Sequence, residues 1–247
     1  MTLGRISQKN RWLLIEMLVL FGTPLVVFSV KSHGGLLFGL LFVTLLYAVG
    51  WLIRQKIDWQ QEWAGRWMAS TTMSATTMSA TTSATPPATM PASMRAARRR
   101  IICGMGWRLA LVVVASAALT QLLVPERFLS FPRLATAQWM AVMTLYPILS
   151  ALPQEIIFRS FFFRRYQSLF PTNVAMLVAN SLAFGVTHLI FHNWVAPTLS
   201  VVAGVMLARA YQQHRSLGLV WAEHALYGCI VFTIGLGWFF YHGSNGG

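Results

Sequence analysis

Long apolar stretches are the feature of this sequence that most restricts its fold. Seven are each about long enough to cross a hydrocarbon layer of roughly 30 Å, and they lie near residues 12–30, 35–53, 107–124, 136–158, 174–191, 194–210 and 217–241. The runs are continuous and lack the alternation of a lipid-facing strand. The fourth contains Pro147 and Pro153, so we expect a kinked but unbroken helix. The sequence predicts an all-α, polytopic transmembrane bundle of about seven helices.

Composition supports a membrane protein and explains the basic charge. Of the 247 residues, 56% are hydrophobic and 10% are charged, against roughly 25% charged in soluble domains. The formal charge of +13 raises the question of nucleic acid. With a cytoplasmic N-terminus and seven crossings, however, sixteen of the nineteen Lys and Arg residues fall on the cytoplasmic side. Topology therefore accounts for the charge, and we predict no nucleic-acid partner.

The chain divides into three predicted sections. Residues 1–63 form an N-terminal transmembrane hairpin, and residues 101–247 form the membrane core. Between them, residues 64–100 are rich in Ser, Thr, Ala and Met, with MSATT at 73–77 repeated at 78–82. Such composition is typical of a disordered loop, here on the cytoplasmic side. The arginines at its end, Arg98, Arg99 and Arg100, are expected to contact anionic lipid headgroups.

Five ionisable residues lie inside the apolar C-terminal half: Glu155, His188, His192, Glu223 and His224. Burying such groups in lipid costs a few kcal/mol or more each unless they face a protein interior and find partners. Glu155 lies sixteen residues before Pro171, and His188 lies sixteen residues after Thr172. Because these helices are joined there, the two side chains should meet at similar depth. The sequence thus predicts a functional cavity among the last four helices.

The spacing within each helix indicates which side chains share a face. Glu155 and Arg159 are four residues apart, as are His188 and His192. Glu223 and His224 are adjacent and point about 100° apart, so we expect only one, His224, to face the cavity fully. Two alternatives stay open. For Glu155 and Arg159 the alternative is a purely structural ion pair. For His192 the alternative is a hydrogen-bonding residue that caps the turn at the outer end of the fifth helix.

Three motifs resemble one family. PQEIIFR at 153–159, FGVTH at 184–188 and EHALYG at 223–228 are similar to the E-E-x-x-x-R, F-x-x-x-H and H-x-x-x-N motifs of the CPBP family. That family comprises CAAX proteases and bacteriocin-processing enzymes and is also called Abi. The resemblance, closest to a bacterial branch with P-Q-E in its first motif, implies an intramembrane endopeptidase of glutamic type, earlier described as a metalloprotease. It implies catalytic roles for Glu155, Arg159, His188 and His224.

Two positions depart from the family pattern. Gln154 replaces the glutamate that the resemblance would make the water-activating base, and Gly228 replaces an asparagine expected to help hold an oxyanion. We assign supporting or substrate-positioning roles to Gln154, His192, Glu223 and Gly228. The bacterial resemblance and the charge distribution together predict a multi-pass protein of the cell membrane, in the bacterial inner membrane, with its N-terminus in the cytoplasm.

Peptide hydrolysis without a covalent intermediate needs a base for water, donors for the oxyanion and an acid for the leaving amine. The Gln154 amide cannot accept the proton, so the base is Glu155 or a histidine, while His188 and His224 position water and stabilise the oxyanion. Other protease classes lack their residues in this sequence. An aspartyl protease needs two aspartates, and Asp58 is the single one. The G-x-S-x-G motif of a serine enzyme and the H-E-x-x-H motif of a zincin do not occur. No cofactor is expected, although zinc on His188, His192 and His224 is an alternative.

The leading hypothesis is an intramembrane endopeptidase. Its substrate would be a membrane-associated or lipid-anchored protein, cleaved at a peptide bond near the cytoplasmic face. Glu155 would activate the attacking water beside two histidines. The alternative is a non-catalytic protein on the same fold, either a scaffold or immunity-type factor or an ion-coupled transporter. Gln154 and Gly228 are the residues that favour this alternative.

Overall fold

The computed structural model describes residues 7–28, 34–65 and 92–240, and no strand occurs among them. Longer helices and two short ones make up the described chain: α1 (Gln8–Phe28), α2 (Gly34–Arg54), short α3 (Trp59–Ala64), α4 (Ala92–Leu123), short α5 (Ser130–Leu134), α6 (Thr136–Arg165), α7 (Asn173–Thr187), α8 (Val195–His214) and α9 (Leu217–Ile234). Single 3₁₀ turns follow at Pro125–Arg127, Gln167–Leu169, Leu189–Phe191 and Leu236–Phe240. The predicted all-α fold is confirmed.

Four of the described helices are long and apolar enough to cross a membrane. They are α4 from Arg95, α6, α7 together with its 3₁₀ extension to Phe191, and α9. Within α2, Gly39–Arg54 forms a shorter apolar helix. A backbone in lipid must satisfy its hydrogen bonds internally, which helices do. The chain is therefore a polytopic helix bundle.

The predicted loop of residues 64–100 is helical at its C-terminal end. Its central part, residues 66–91, lies outside the described residues. Residues 92–100 begin helix α4, where Arg98, Arg99 and Arg100 are exposed on its first turns. Alanine, methionine and arginine are good helix formers, so the end of the loop sequence continues the helix that follows it.

The predicted N-terminal hairpin shares one hydrophobic core with the rest of the bundle. Phe21 of α1 contacts Phe158 and Phe162 of α6, with ring centroids 5.2 Å apart in both pairs. Leu52 of α2 is fully buried in the same cluster. Aromatic pairs in such geometry contribute about 0.5–1.5 kcal/mol each. These contacts hold α6 along its inner face.

Small residues bring α7 and α8 close together. A side chain at Gly204 of α8 would meet the Ser181 backbone and Cβ of α7 at 3.1–3.3 Å, and one at Gly185 would overlap the Val201 side chain. Glycine allows this approach because it has no Cβ, and in membranes such packing is a main source of helix association. The close contact fixes α7 and therefore the end of α7 that carries His188.

Helix α6 is continuous through both prolines, as expected. Pro147 opens a π-helical segment, Pro147–Ala151, and a second one, Ile156–Phe161, follows. A proline ring clashes with the preceding turn and supplies no N–H, and the wider turn accommodates it. The Leu152 N–H donates to the Pro147 carbonyl, which also accepts the Trp221 indole at 2.7 Å. These contacts stabilise the segment and join α6 to α9.

Candidate active site

Glu155 of α6 and His224 of α9 meet inside the bundle. The Glu155 side chain is fully buried and His224 is 6% exposed. The His224 Nδ1 lies 2.7 Å from Glu155 Oε1, a hydrogen bond between two helices. A carboxylate and an imidazole buried in this way are stable only when they are paired. The two sequence motifs that carry them are thus brought into direct contact.

Arg159 lies on the other side of the Glu155 carboxylate. Its Nε is 3.0 Å from Glu155 Oε2, and both side chains are completely buried. These two atoms are close without being aligned as a hydrogen bond. Breaking such a buried pair by removing one partner costs about 3–5 kcal/mol. Arg159 therefore fixes both the charge and the position of the carboxylate.

Asn180 of α7, a residue that the sequence did not single out, holds Arg159. Its amide oxygen accepts a hydrogen bond from Arg159 Nη1, and its amide nitrogen donates to the Phe158 carbonyl at 2.7 Å. Asn180 is fully buried. In the sequence, only its position among apolar residues, about two helical turns before His188, marks it. It joins α7 to the segment of α6 that carries the site.

The backbone around Glu155 departs from the regular α-helix. Glu155 ends a single α-turn, Leu152–Glu155, between the two π-helical segments. Isolated π turns occur often at functional sites because they change the face on which side chains project. Here Arg159 lies within the second segment and stays on the face of Glu155.

His188 ends α7 close to the same cluster. Its Nδ1 lies 2.7 Å from the Phe184 carbonyl oxygen, one turn earlier in the chain. The Phe184 ring is 4.8 Å from the His188 ring and 5.6 Å from the His224 ring, and the Arg159 guanidinium lies 5.5 Å from its centre. Phe184 therefore contacts three of the four predicted catalytic residues. In the sequence it is the first residue of the FGVTH motif.

The hydrogen bonds fix the tautomers of both histidines. A backbone carbonyl only accepts, so Nδ1 of His188 carries a proton. With an ionised Glu155 as acceptor, Nδ1 of His224 also carries one. In the neutral form each ring then presents an unprotonated Nε2, which accepts protons and does not donate.

Gln154 lies beside Glu155 with one amide atom paired. Its Nε2 donates to the Ser150 hydroxyl at 2.9 Å, while its Oε1 is buried without a hydrogen-bond partner. Among the described residues, buried polar atoms without a partner are few, and four cluster here: Gln154 Oε1, Glu155 Oε2, Arg159 Nε and Arg159 Nη2. Buried polar atoms are usually paired, so this cluster is chemically distinct from the rest of the bundle.

Glu223 points away from the site. It accepts hydrogen bonds from Arg108 of α4, at 3.0 Å for the Nη2 contact, and from the Tyr227 hydroxyl one turn later. His224, its neighbour, faces Glu155. The geometry gives Glu223 a structural role between α9 and α4 and does not place it among the residues around Glu155.

The alternative zinc ligands do not assemble. In the part of the chain that the structure describes, no group of three or more His, Cys, Asp or Glu residues could hold a metal ion. His192 adopts the left-handed conformation in the turn after the Leu189–Phe191 segment. Asn193 caps the next helix by accepting from the Ala196 N–H at 2.8 Å. Among these described residues, His188, His192 and His224 are not gathered into one group of ligands.

The space beside Gly228 is filled by an aromatic ring. A side chain at Gly228 would overlap the Tyr146 ring and its hydroxyl. The Tyr146 ring lies edge-on to His224, with centroids 6.1 Å apart. Gly228 therefore permits the ring of α6 to lie directly against the backbone of α9.

One family model matches this region. Residues 136–230, which include all three motifs, match the family described as type II CAAX prenyl endopeptidase, Rce1-like. No curated protein and no solved structure matches the chain. Over residues 136–230 the match agrees with the family that the three motifs resemble, and with the four long apolar helices it supports a multi-pass membrane protein.

Proposed function

We propose that this chain, whose residues 136–230 belong to the Rce1-like family of type II CAAX prenyl endopeptidases, hydrolyses peptide bonds within the membrane through Glu155, Arg159, His188 and His224. The family supports an intramembrane endopeptidase in general. The geometry of the site supports the choice of these residues and of a glutamic mechanism.

The observation that carries the proposal is the hydrogen bond between Glu155 and His224. A carboxylate and an imidazole from two helices lie 2.7 Å apart, fully or almost fully buried, beside a completely buried arginine. Such a group of ionisable residues is costly inside a membrane protein and points to a function. The carboxylate holds the imidazole with Nε2 unprotonated, which is the form of a general base.

In the proposed reaction, a water molecule attacks the carbonyl carbon of the substrate. Its proton passes to the Glu155 and His224 pair, and a C–O bond forms as the carbonyl oxygen becomes the oxyanion. His188 accepts a hydrogen bond from the water through Nε2, and Arg159 keeps the carboxylate in place. The protonated imidazole then donates its proton to the leaving amine as the C–N bond breaks. No covalent enzyme intermediate forms.

We propose that the reaction proceeds without a metal ion. The Arg159 guanidinium lies 3.0 Å from Glu155 Oε2. Its positive charge would repel a divalent cation from that oxygen. Activity should persist in the presence of a chelator. Loss of activity with EDTA that zinc restores would contradict this part of the proposal.

The substrates that we propose are membrane-associated or lipid-anchored proteins, cleaved near the cytoplasmic face. Prenylated C-terminal peptides are substrates to test, because the description of the matching family names a CAAX prenyl endopeptidase. We place the protein in the bacterial inner membrane with a cytoplasmic N-terminus. Anionic headgroups would then contact Arg98, Arg99 and Arg100, which are exposed at the start of α4.

Profiling of protein termini tests the function without a known substrate. Membranes from cells that lack this protein are incubated with the purified wild type or with Glu155→Gln, and new peptide termini are identified by mass spectrometry. We expect new termini in membrane or lipid-anchored proteins with the wild type alone. Identical termini in both samples would refute proteolysis by Glu155, and a scaffold or transporter would produce none.

A further inference from the structure

The proposed hydrolysis leaves one requirement unassigned. The oxyanion needs hydrogen-bond donors, which contribute about 10²–10³ to the rate when correctly placed. Both histidines have Nδ1 occupied by an acceptor, so each neutral ring offers only a lone pair at Nε2. Arg159 uses Nη1 for Asn180 and places Nε beside Glu155. Arg159 Nη2 is buried without a partner and remains as one charged donor, so a second, neutral donor would come from another residue.

Tyr146 is placed to be that residue. It precedes the first π-helical segment of α6, and its ring is edge-on to His224. The hydroxyl end of the ring lies against the backbone of Gly228, one helical turn beyond His224. Among the described residues the Tyr146 hydroxyl has no hydrogen-bond partner. By contrast, the hydroxyls of Tyr166, Tyr211 and Tyr227 each donate to a glutamate.

Gly228 and Tyr146 form a complementary pair. The phenol ring occupies the volume that any side chain at position 228 would need, because a Cβ there overlaps both the ring and the hydroxyl. The glycine has an ordinary helical environment in α9, so no unusual backbone conformation requires it. What requires glycine is the close approach of Tyr146.

We propose that Tyr146 is a catalytic residue whose hydroxyl, which lies against Gly228, donates a hydrogen bond to the oxyanion. This inference rests on the proposed hydrolase function. The phenol stays protonated throughout, and its O–H stabilises the developing negative charge while the proton from water goes to the Glu155 and His224 pair. Tyr146 thus belongs to the site together with Glu155, His188 and His224.

Removal of one hydroxyl tests the inference. The probe is a synthetic peptide spanning a cleavage site found with the wild type by terminus profiling. Tyr146→Phe should lower kcat about 100-fold, with KM changed less than threefold and an unchanged melting temperature. The matched control is Tyr227→Phe, since Tyr227 lies in the same buried region but donates to Glu223. It should keep kcat within threefold of the wild type.

A swap of the donor gives an independent test. Tyr146→Ala empties the space, and Tyr146→Ala with Gly228→Asn places an amide donor there. The double variant should be at least about tenfold faster than Tyr146→Ala alone, whereas Gly228→Asn alone should be impaired because Tyr146 fills the space.

The failure of this inference differs from failure of the proposed function. If the wild type cleaves and Glu155→Gln does not, but Tyr146→Phe keeps kcat within threefold, Tyr146 is not the donor and the proposed function stands. A Tyr146→Phe variant that changes KM alone would equally overturn the inference. If the wild type produces no new termini, the proposed function fails first.

Discussion

Two fully buried glutamates of this bundle, Glu155 and Glu223, have opposite surroundings. Glu223 has both oxygens engaged by Arg108 and one also by Tyr227, and Arg108 is 22% exposed. Glu155 uses Oε1 for His224, while its Oε2 lies 3.0 Å from a completely buried arginine without hydrogen-bond alignment. One carboxylate is saturated by its partners and the other is not.

The difference separates structural from chemical roles of buried charge. A carboxylate with both oxygens hydrogen-bonded has little acceptor capacity left for a further ligand and joins helices together. An incompletely paired one keeps part of its capacity for water or substrate, at a cost in stability that the surrounding fold must offset. Burial alone would have marked both residues as equal candidates, whereas their partners distinguish them.

Matched shortening of the two carboxylates should give the largest contrast. Glu155→Asp keeps the charge beside Arg159 but withdraws the carboxylate from His224, and a displacement of about 1 Å can lower a rate roughly 100-fold. Glu223→Asp should lower the cleavage rate by less than about threefold. The measurement is kcat with one peptide substrate. Equal losses in the two variants would remove the distinction.

Removal of the saturated carboxylate should affect stability. Glu223→Leu leaves Arg108 and Tyr227 without their acceptor and should lower the free energy of unfolding by about 2 kcal/mol, a fall in melting temperature of roughly 4–8 °C. Adding Arg108→Leu should recover part of the loss, because it removes the unpaired charge. Thermal unfolding in one detergent measures both. A double variant less stable than Glu223→Leu would disagree with this account.

Asn180 tests whether Arg159 must be positioned. Asn180→Leu removes the acceptor for Nη1 and the donor to the Phe158 carbonyl, so kcat should fall about tenfold through displacement of Arg159 and Glu155. Ser181→Ala is the control, since the buried Ser181 hydroxyl donates to the Leu177 carbonyl of its own helix. Similar rates for both variants would show that Asn180 does not position the site.

The exposed arginines of α4 should have the smallest effect. Anionic lipid should raise the melting temperature of the wild type more than that of a variant with Arg98, Arg99 and Arg100 all replaced by Gln, by roughly 1–2 °C. The measurement compares nanodiscs of phosphatidylcholine with nanodiscs containing phosphatidylglycerol. The same shift in both proteins would exclude specific headgroup contacts at this cluster.

The sequence predicted the helices because their signal is local. Continuous apolar runs define α6, α7 and α9, and a four-residue spacing within one helix pairs Glu155 with Arg159. The family match over residues 136–230 was likewise predictable, since the motifs are short and ordered along the chain. What these features share is dependence on residues close in sequence.

Features set by contacts between helices were not predictable in the same way. Asn180 is one polar residue among many small ones until Arg159 is seen to lie against it. Gly228 looked like the loss of a functional residue, and only the approach of Tyr146 from another helix explains it. The π-helical segments change which residues share a face, and a regular helical period cannot show them. The partner of Glu223 required the position of α4.

Direct attack by water is the central claim, and a single-turnover reaction in ¹⁸O-labelled water tests it most directly. After acid quench, mass spectrometry follows both the new carboxyl terminus of the product and the intact enzyme. The account predicts one ¹⁸O in the product carboxyl, no added mass on the wild-type enzyme, and no product with Glu155→Gln. A substrate fragment covalently attached to the enzyme, or labelled product formed equally well by Glu155→Gln, would contradict it.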